Sequence, residues 1–349
     1  MPYTQAPEWV IPGKATYYAS AMPRAAGAVP LVVKNFEARP TMVAPNRLHP
    51  DLEGTDALVQ ASVLELYSPS RSRKVMKGGK PGKRKDLDAV IAQLATDAGA
   101  KVGFLFGNDV SPTRSRLREE LDAKFSSARF YRYEALCGDA CQAYGDGAKP
   151  VADFSKAERI LSLDCDFGST DPIGSATAFF DKRKPEGKTY GESPDPKRMN
   201  RLYMVESAFS LTGGMADHRL RVTPAELLKV AGQIARELGV AEAAGVPVVT
   251  DEKQLSWIKP LVDDLKQFRG KSLIVAGTRQ SAAVHHLVLA MNLALGNLGD
   301  GKPFNVVQTE NTGLGDLEQL TEDVKTGAID TLVMLTPSNP VYDAPVDLD

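Results

Sequence analysis

The chain has 349 residues, of which 43% are hydrophobic, with 42 Lys and Arg against 44 Asp and Glu. A net charge of −2 offers no global field for nucleic acid or an anionic membrane, and no apolar run approaches the ~18 residues a membrane helix needs. The three cysteines, Cys137, Cys141 and Cys165, form no Cys-x-x-Cys, which argues against a zinc ribbon or a complete iron–sulfur ligand set in this sequence.

Residues 1–70 are proline-rich, and their opening, "MPYTQAPEWVIPGK", shows neither a basic nor an apolar signal region. Two β-like runs, "LVVKNF" (31–36) and "PTMVAP" (40–45), flank Glu37-Ala38-Arg39 and predict a small hairpin. The stretch "RSRKVMKGGKPGKRK" (71–85) carries eight Lys and Arg, no acid and three glycines. It reads as a solvated loop or as a contact for an acidic partner or a phosphate. Asp86 then caps a helix whose apolar positions, Leu87, Val90, Ile91 and Leu94, share one face.

Beyond it, strands and helices alternate. "KVGFLFG" (101–107) is a strand, and Ser111-Pro112 opens a helix to about Phe125. "ARFYRYEAL", "RILSL" and "RLYMVES" (201–207) are further strands. Between the last two, the charged segment 181–201 is an exposed excursion. Thr223-Pro224-Ala225-Glu226 is a capping box for a helix to about Gly239. "KSLIVAG" (271–277), "FNVVQT" (304–309) and "TLVMLT" (331–336) are strands, with helices at "SAAVHHLVLAMNLALG" and near 314–326. The pattern predicts an α/β fold: largely parallel, doubly wound sheet or sheets with helices on both faces, after a small irregular and β N-terminal region. The expected division is 1–85 and 86–349, the latter in two sub-domains of about 86–240 and 241–349. A buried strand with no crossover helix after it predicts a chain cut from a longer polypeptide.

No Walker A, G-x-G-x-x-G or G-x-S-x-G motif is present. His285 and His286 adjoin in an apolar helix, so one should face the core and the other the surface. His218 can orient a loop, and His49 reads as a turn residue; no histidine pair has metal-ligand spacing. Cys137 and Cys141 can bridge in an oxidising compartment or stay free. Two loops repeat one form, an apolar strand emptying into a polar turn: "ILSLDCDFGSTDP" and "LVMLTPSNPVYDAP". They are ordinary turns or a shared ligand-binding edge, since ligands of open α/β sheets sit at strand C-termini.

The order of these segments resembles the molybdopterin oxidoreductase family. "LTPSNPVYDAP" keeps the Asn339-Pro340 and Pro345 of that family's phosphate-cradling loop; "RPTMVAPNRLHP" looks like its small β element. Over nearly the whole chain, "IPGKATYYASAMP", "DALVQASVLELYSPSRS", "DFSKAERILSLDCDF", "MNRLYMVESAFSLTGGMADHRL" and "NPVYDAP" look like the molybdopterin oxidoreductase-like N-terminal half of the B subunit of alternative complex III. That family of bacterial membrane complexes oxidises quinols.

The resemblance implies other subunits of a membrane respiratory complex as partners, with no direct membrane insertion by this chain. It also implies the periplasmic face of the cytoplasmic membrane, with a targeting signal removed or upstream of Pro2, and iron–sulfur clusters in a C-terminal half. Two departures bear on cofactors. Residues 1–60 hold no cysteine for the N-terminal cluster of catalytic members, and Asp164-Cys165-Asp166 stands where those members have Gly-x-Asn-Pro. Carboxylates there would repel a diphosphate. The expectation is therefore a cofactor-free domain with no catalytic residue and no metal ligand, its vestigial loops marked by Asp164, Asp166, Ser169, Asn339 and Pro340. Two alternatives stay open: a fragment of an active molybdopterin-dependent enzyme, or an unrelated nucleotide- or sugar-binding α/β protein.

Overall fold

The computed structural model describes residues 8, 10–24, 27–49, 54–107, 111–135, 143–145, 148–171, 173–184, 199–308, 313–336 and 339–344. In chain order its elements are β1 (Thr16–Arg24), β2 (Gly27–Phe36), β3 (Arg39–Pro45), α1 (Ala57–Glu65), β4 (Met76–Lys77), β5 (Lys80–Pro81), α2 (Arg84–Leu94), β6 (Val102–Phe106), α3 (Pro112–Lys124), β7 (Arg129–Arg132), β8 (Ala148–Ala152) and β9 (Arg159–Leu163). There follow α4 (Thr177–Asp181), β10 (Arg201–Glu206), α5 (Leu211–Gly214), β11 (His218–Arg221), α6 (Pro224–Glu237), α7 (Glu252–Gln267), β12 (Ser272–Ala276), α8 (Ala282–Ala294), β13 (Phe304–Gln308), α9 (Leu317–Lys325), β14 (Thr331–Leu335) and α10 (Pro340–Asp343). The chain is α/β, with several separate sheets.

Two compact units form, one from residues 1–135 with 310–349 and one from 136–309. The expected sub-domain boundary near 240 falls inside the second unit, because β12 pairs with β9 and so ties segments from both sides of residue 240 into one sheet.

In the first unit, residues 16–45 are less irregular than their prolines suggest. β1, β2 and β3 form an antiparallel meander. Its second turn places Glu37 and Ala38 at φ +51° and +64°, the left-handed pair that a two-residue hairpin turn requires. The basic stretch folds back as the small β4–β5 hairpin around Gly78-Gly79. α2 begins two residues before Asp86, so Asp86 is not its N-cap; instead its carboxylate accepts the Lys83 N–H at 2.7 Å from inside the first turn. A parallel sheet of order β14-β6-β7 completes the unit. Leu105, Tyr131, Leu320 and Ile329 fill one side of it, and Val102, Phe104, Phe106 and Phe125 the other.

The second unit is built on a parallel sheet of order β11-β10-β9-β12. Successive residues of β9, β10 and β12 are buried, so both sheet faces are covered. The strand expected at 304–309 does not join this sheet. β13 runs antiparallel to β8, a strand the sequence did not announce, with Phe304 opposite Ala152. The Thr223–Glu226 capping box forms as expected, and α6 buries Leu227, Val230, Ala231, Ile234 and Ala235 on one face. α7 was not anticipated, since Pro260 interrupts its helical pattern. At the N-terminal edge of the sheet, Asp264 of α7 accepts from Arg159 Nε (2.9 Å), Arg201 Nη1 (2.9 Å) and Tyr203 Oη (2.9 Å). Burial works against its charge, but these donors win and hold the carboxyl below its ordinary value.

Candidate functional site

The strand order of the second unit sets the place to look. β9 sits centrally; the chain steps outward to β10 and β11, then crosses to the opposite side for β12. The reversal lies between β9 and β12, and ligands of open α/β sheets bind at the C-terminal ends of strands at such a point. The loops that meet there are 164–171 after β9, 207–214 after β10 and 277–281 after β12.

Close backbone approach lets these loops interlock. Asp164 takes the left-handed conformation, φ +54°. Its carbonyl lies so near Gly277 that a Cβ at that position would overlap it. The Asp164 N–H donates to the Val205 carbonyl at 2.7 Å, tying the loop to the end of β10.

The carboxylates all point at donors. Asp164 accepts from Gln280 Nε2 at 2.8 Å and from the Ser207 N–H at 3.4 Å. Asp166 accepts through Oδ1 from both the N–H and the hydroxyl of Thr212, at 2.9 and 2.7 Å. Asp171 accepts through Oδ1 from the N–H and hydroxyl of Thr278, at 3.1 and 2.6 Å, and through Oδ2 from the Asp166 N–H at 3.2 Å. Glu206, fully buried at the end of β10, accepts from the Ser210 hydroxyl at 2.6 Å and pairs with Arg219. The Ser210 hydroxyl in turn accepts the Gly213 N–H at 2.9 Å.

The consequence is chemical. The N–H groups of Ser207, Thr212, Gly213 and Thr278 are those a phosphate would take at a strand mouth. Each already donates to a side chain of this protein, and four carboxylates crowd the same crevice. A pterin dinucleotide diphosphate does not fit this donor set. Burial raises the Asp164 carboxyl above its ordinary value, and the neighbouring Asp171 and Glu206 add to the shift. Cys165 is buried with its sulfur 3.8 Å from the Asp171 carbonyl, and burial followed by the three aspartates pushes its thiol up. That is the wrong direction for a thiolate ligand.

Beneath the crevice, His285 Nε2 lies 3.1 Å from the Gly277 carbonyl and Nδ1 3.0 Å from the Tyr144 hydroxyl. A carbonyl only accepts, so Nε2 carries the proton and Nδ1 accepts from Tyr144. Burial pushes the imidazole down to about 4, leaving it neutral. His286 faces outward, as expected of this pair.

Of the residues singled out in sequence, Asp164 and Asp166 meet at this crevice. Ser169 stands on the same loop, where its N–H closes a turn onto the Asp166 carbonyl at 2.9 Å. Asn339 and Pro340 belong to the other unit. There Asn339 caps α10, accepting the Val341 N–H at 3.1 Å, and Pro340 is buried at the first helical position. Cys137, Cys141 and Pro345 lie outside the described residues. Sequence reading missed Thr212, Thr278, Gln280 and Glu206. Gly277-Thr278 after an apolar strand and Gly213-Gly214 after "SLT" were the available signals of close backbone approach. Among the described residues no group of His, Cys, Asp and Glu is arranged to hold a metal ion, and no helix is long and apolar enough to cross a membrane.

No family model matches the sequence, and no curated protein matches it. Among solved structures, one similar chain belongs to the formyltransferase/hydrolase complex FhcABCD from Methylorubrum extorquens, determined with methylofuran. It is 15% identical at a TM-score of 0.37, over 76% of this chain and 61% of that one. A likeness this slight bears on neither fold nor function, and this chain spans less than two thirds of the other's length.

Proposed function

We propose that this chain is a cofactor-free, structural domain of a membrane-associated, quinol-oxidising electron-transfer complex of the alternative complex III type, with a molybdopterin oxidoreductase-like ancestry. The resemblance of its long ordered motifs supports the assignment to that kind of complex. The observation that carries the cofactor-free part is the crevice at the β9–β12 reversal. Its backbone donors are taken by Asp164, Asp166, Asp171 and Ser210, so an anionic cofactor would have to displace the protein's own carboxylates. In this reading the domain contributes surface and rigidity. Electrons travel through iron–sulfur clusters elsewhere in the parent subunit, on the periplasmic face of the membrane, and other subunits dock on the domain.

The test is to purify the full-length protein from membranes under mild detergent. The expected preparation oxidises quinol and contains iron, but neither molybdenum nor tungsten in proportion to protein, and no fluorescent pterin after oxidative extraction. Stoichiometric molybdenum or pterin would give the active-enzyme reading its place. A soluble preparation without quinol oxidation would remove the respiratory assignment.

A further inference from the structure

The basic hairpin leads directly into α2, and α2 has no buried residue. Residues 71–85 present eight cations. Arg84 pairs with Asp88 at 2.9 Å, and Arg71 donates to the Leu66 carbonyl at 3.1 Å. The other six take part in no ion pair among the described residues. The hairpin turns at Gly78-Gly79 and is closed at its base by the Gly82 N–H donating to the Val75 carbonyl at 2.7 Å, two residues before α2 begins.

α2 then presents Leu87, Val90 and Ile91, at spacings that align them along one face, and each stays 40–44% exposed. Met76 on the hairpin is 55% exposed. The far end of the helix is anchored, where Leu94 and Ala95 pack on the Phe104–Phe125 cluster. An isolated helix needs roughly 12–15 residues to persist in water, so this shorter one depends on burial of its apolar face.

We propose that the basic hairpin and the apolar face of α2 together dock an acidic amphipathic helix of another protein subunit. The inference rests on the reading above only in taking that protein to be a subunit of the same complex. Charge complementarity selects the partner: six cations with no ion pair among the described residues lead into an exposed apolar row, so the matching segment carries Asp and Glu beside apolar residues at helical spacing. A lipid surface suits it less. Residues 71–95 contain no Trp, Tyr or Phe to seat in a headgroup layer, and Asp86 and Asp88 flank Leu87 at the centre of the surface.

A photo-crosslinking amino acid placed at position 80 or 90 of the full-length protein, in its own cells, tests this by mass-spectrometric mapping of the linked peptides. Both positions should link to one acidic, apolar-patterned segment of another protein. Combining Lys77→Glu, Lys80→Glu and Lys83→Glu should lower the yield from position 90 by about tenfold or more, since like charges would then oppose each other across the contact. The melting temperature should hold, because these side chains are exposed. Links to lipid, to a second copy of this chain, to residues 136–309 of the same chain, or no links at all would overturn the proposal. If the linked segment belongs to a protein outside any quinol-oxidising complex, the docking surface stands and the respiratory assignment falls.

Discussion

Among the described residues Asp171 uses both carboxylate oxygens as acceptors, whereas Asp166 uses only Oδ1, and this difference makes the crevice testable one residue at a time. Asp166→Asn keeps an acceptor oxygen toward Thr212, so its stability should stay within about 0.5 kcal/mol of wild type. Asp171→Asn must turn an NH2 group toward either Thr278 or the Asp166 N–H, and should cost about 1–3 kcal/mol in urea titrations. A reversed order would mean that the carboxylates are not held as described. Gly277→Ala drives a methyl group into the Asp164 carbonyl, and a melting curve should register a loss of about 1–3 kcal/mol. His285 supplies a pH signature. Its folded value of about 4 lies below the ordinary 6.5, so between these values the unfolded chain gains a proton that the folded one refuses. Stability should therefore fall as pH drops from 6.5 to 4, by at most roughly 3 kcal/mol from this residue. The raised Asp164 works in the opposite sense, stabilising at low pH and losing that contribution as pH rises through its folded value. His285→Gln should flatten the slope between pH 6.5 and 4; an unchanged slope would assign it to other groups.

At the scale of elements, local chemistry was legible where a single rule decides. Thr223-Pro224-Ala225-Glu226 opened α6 as its capping box requires, and Thr223→Ala should cost about 1 kcal/mol in chemical denaturation. Ser111-Pro112 likewise opened α3. Elements held by distant partners were not legible. β8 contains Pro150 and only five residues, and it exists because β13 pairs with it from far along the chain. α7 carries Pro260, yet Ile258, Leu261, Val262 and Leu265 are buried and Asp264 is clasped by two arginines. Asp264→Ala should cost about 3–5 kcal/mol, because it leaves Arg159 without its partner in a largely buried place. β14, whose apolar run predicts a buried strand, lies instead at the edge of its sheet among the described strands, with Leu332, Met334 and Leu335 exposed and the Arg114 guanidinium donating to the Leu335 carbonyl at 2.7 Å.

For the whole molecule, alternation of strands and helices was enough to give the α/β class. It could not give the division into units, because the first unit closes with strand β14, far in sequence from β6, which it pairs. The acidic strand mouth was also legible from "LDCDFGSTD", but its meaning was not. Sequence offers the carboxylates as a repulsive cluster; the structure turns each toward an N–H or hydroxyl of a neighbouring loop, a pairing that depends on Thr212 and Thr278 arriving from other strands. We propose that these loops, satisfied from within, take no anionic cofactor. Hydrogen exchange of the full-length protein, with and without saturating pyrophosphate, tests it at residues 164–171, 207–214 and 277–281. Amides already slow to exchange and unchanged by pyrophosphate are the expected result; a marked gain of protection confined to these three loops on adding pyrophosphate would overturn the cofactor-free reading.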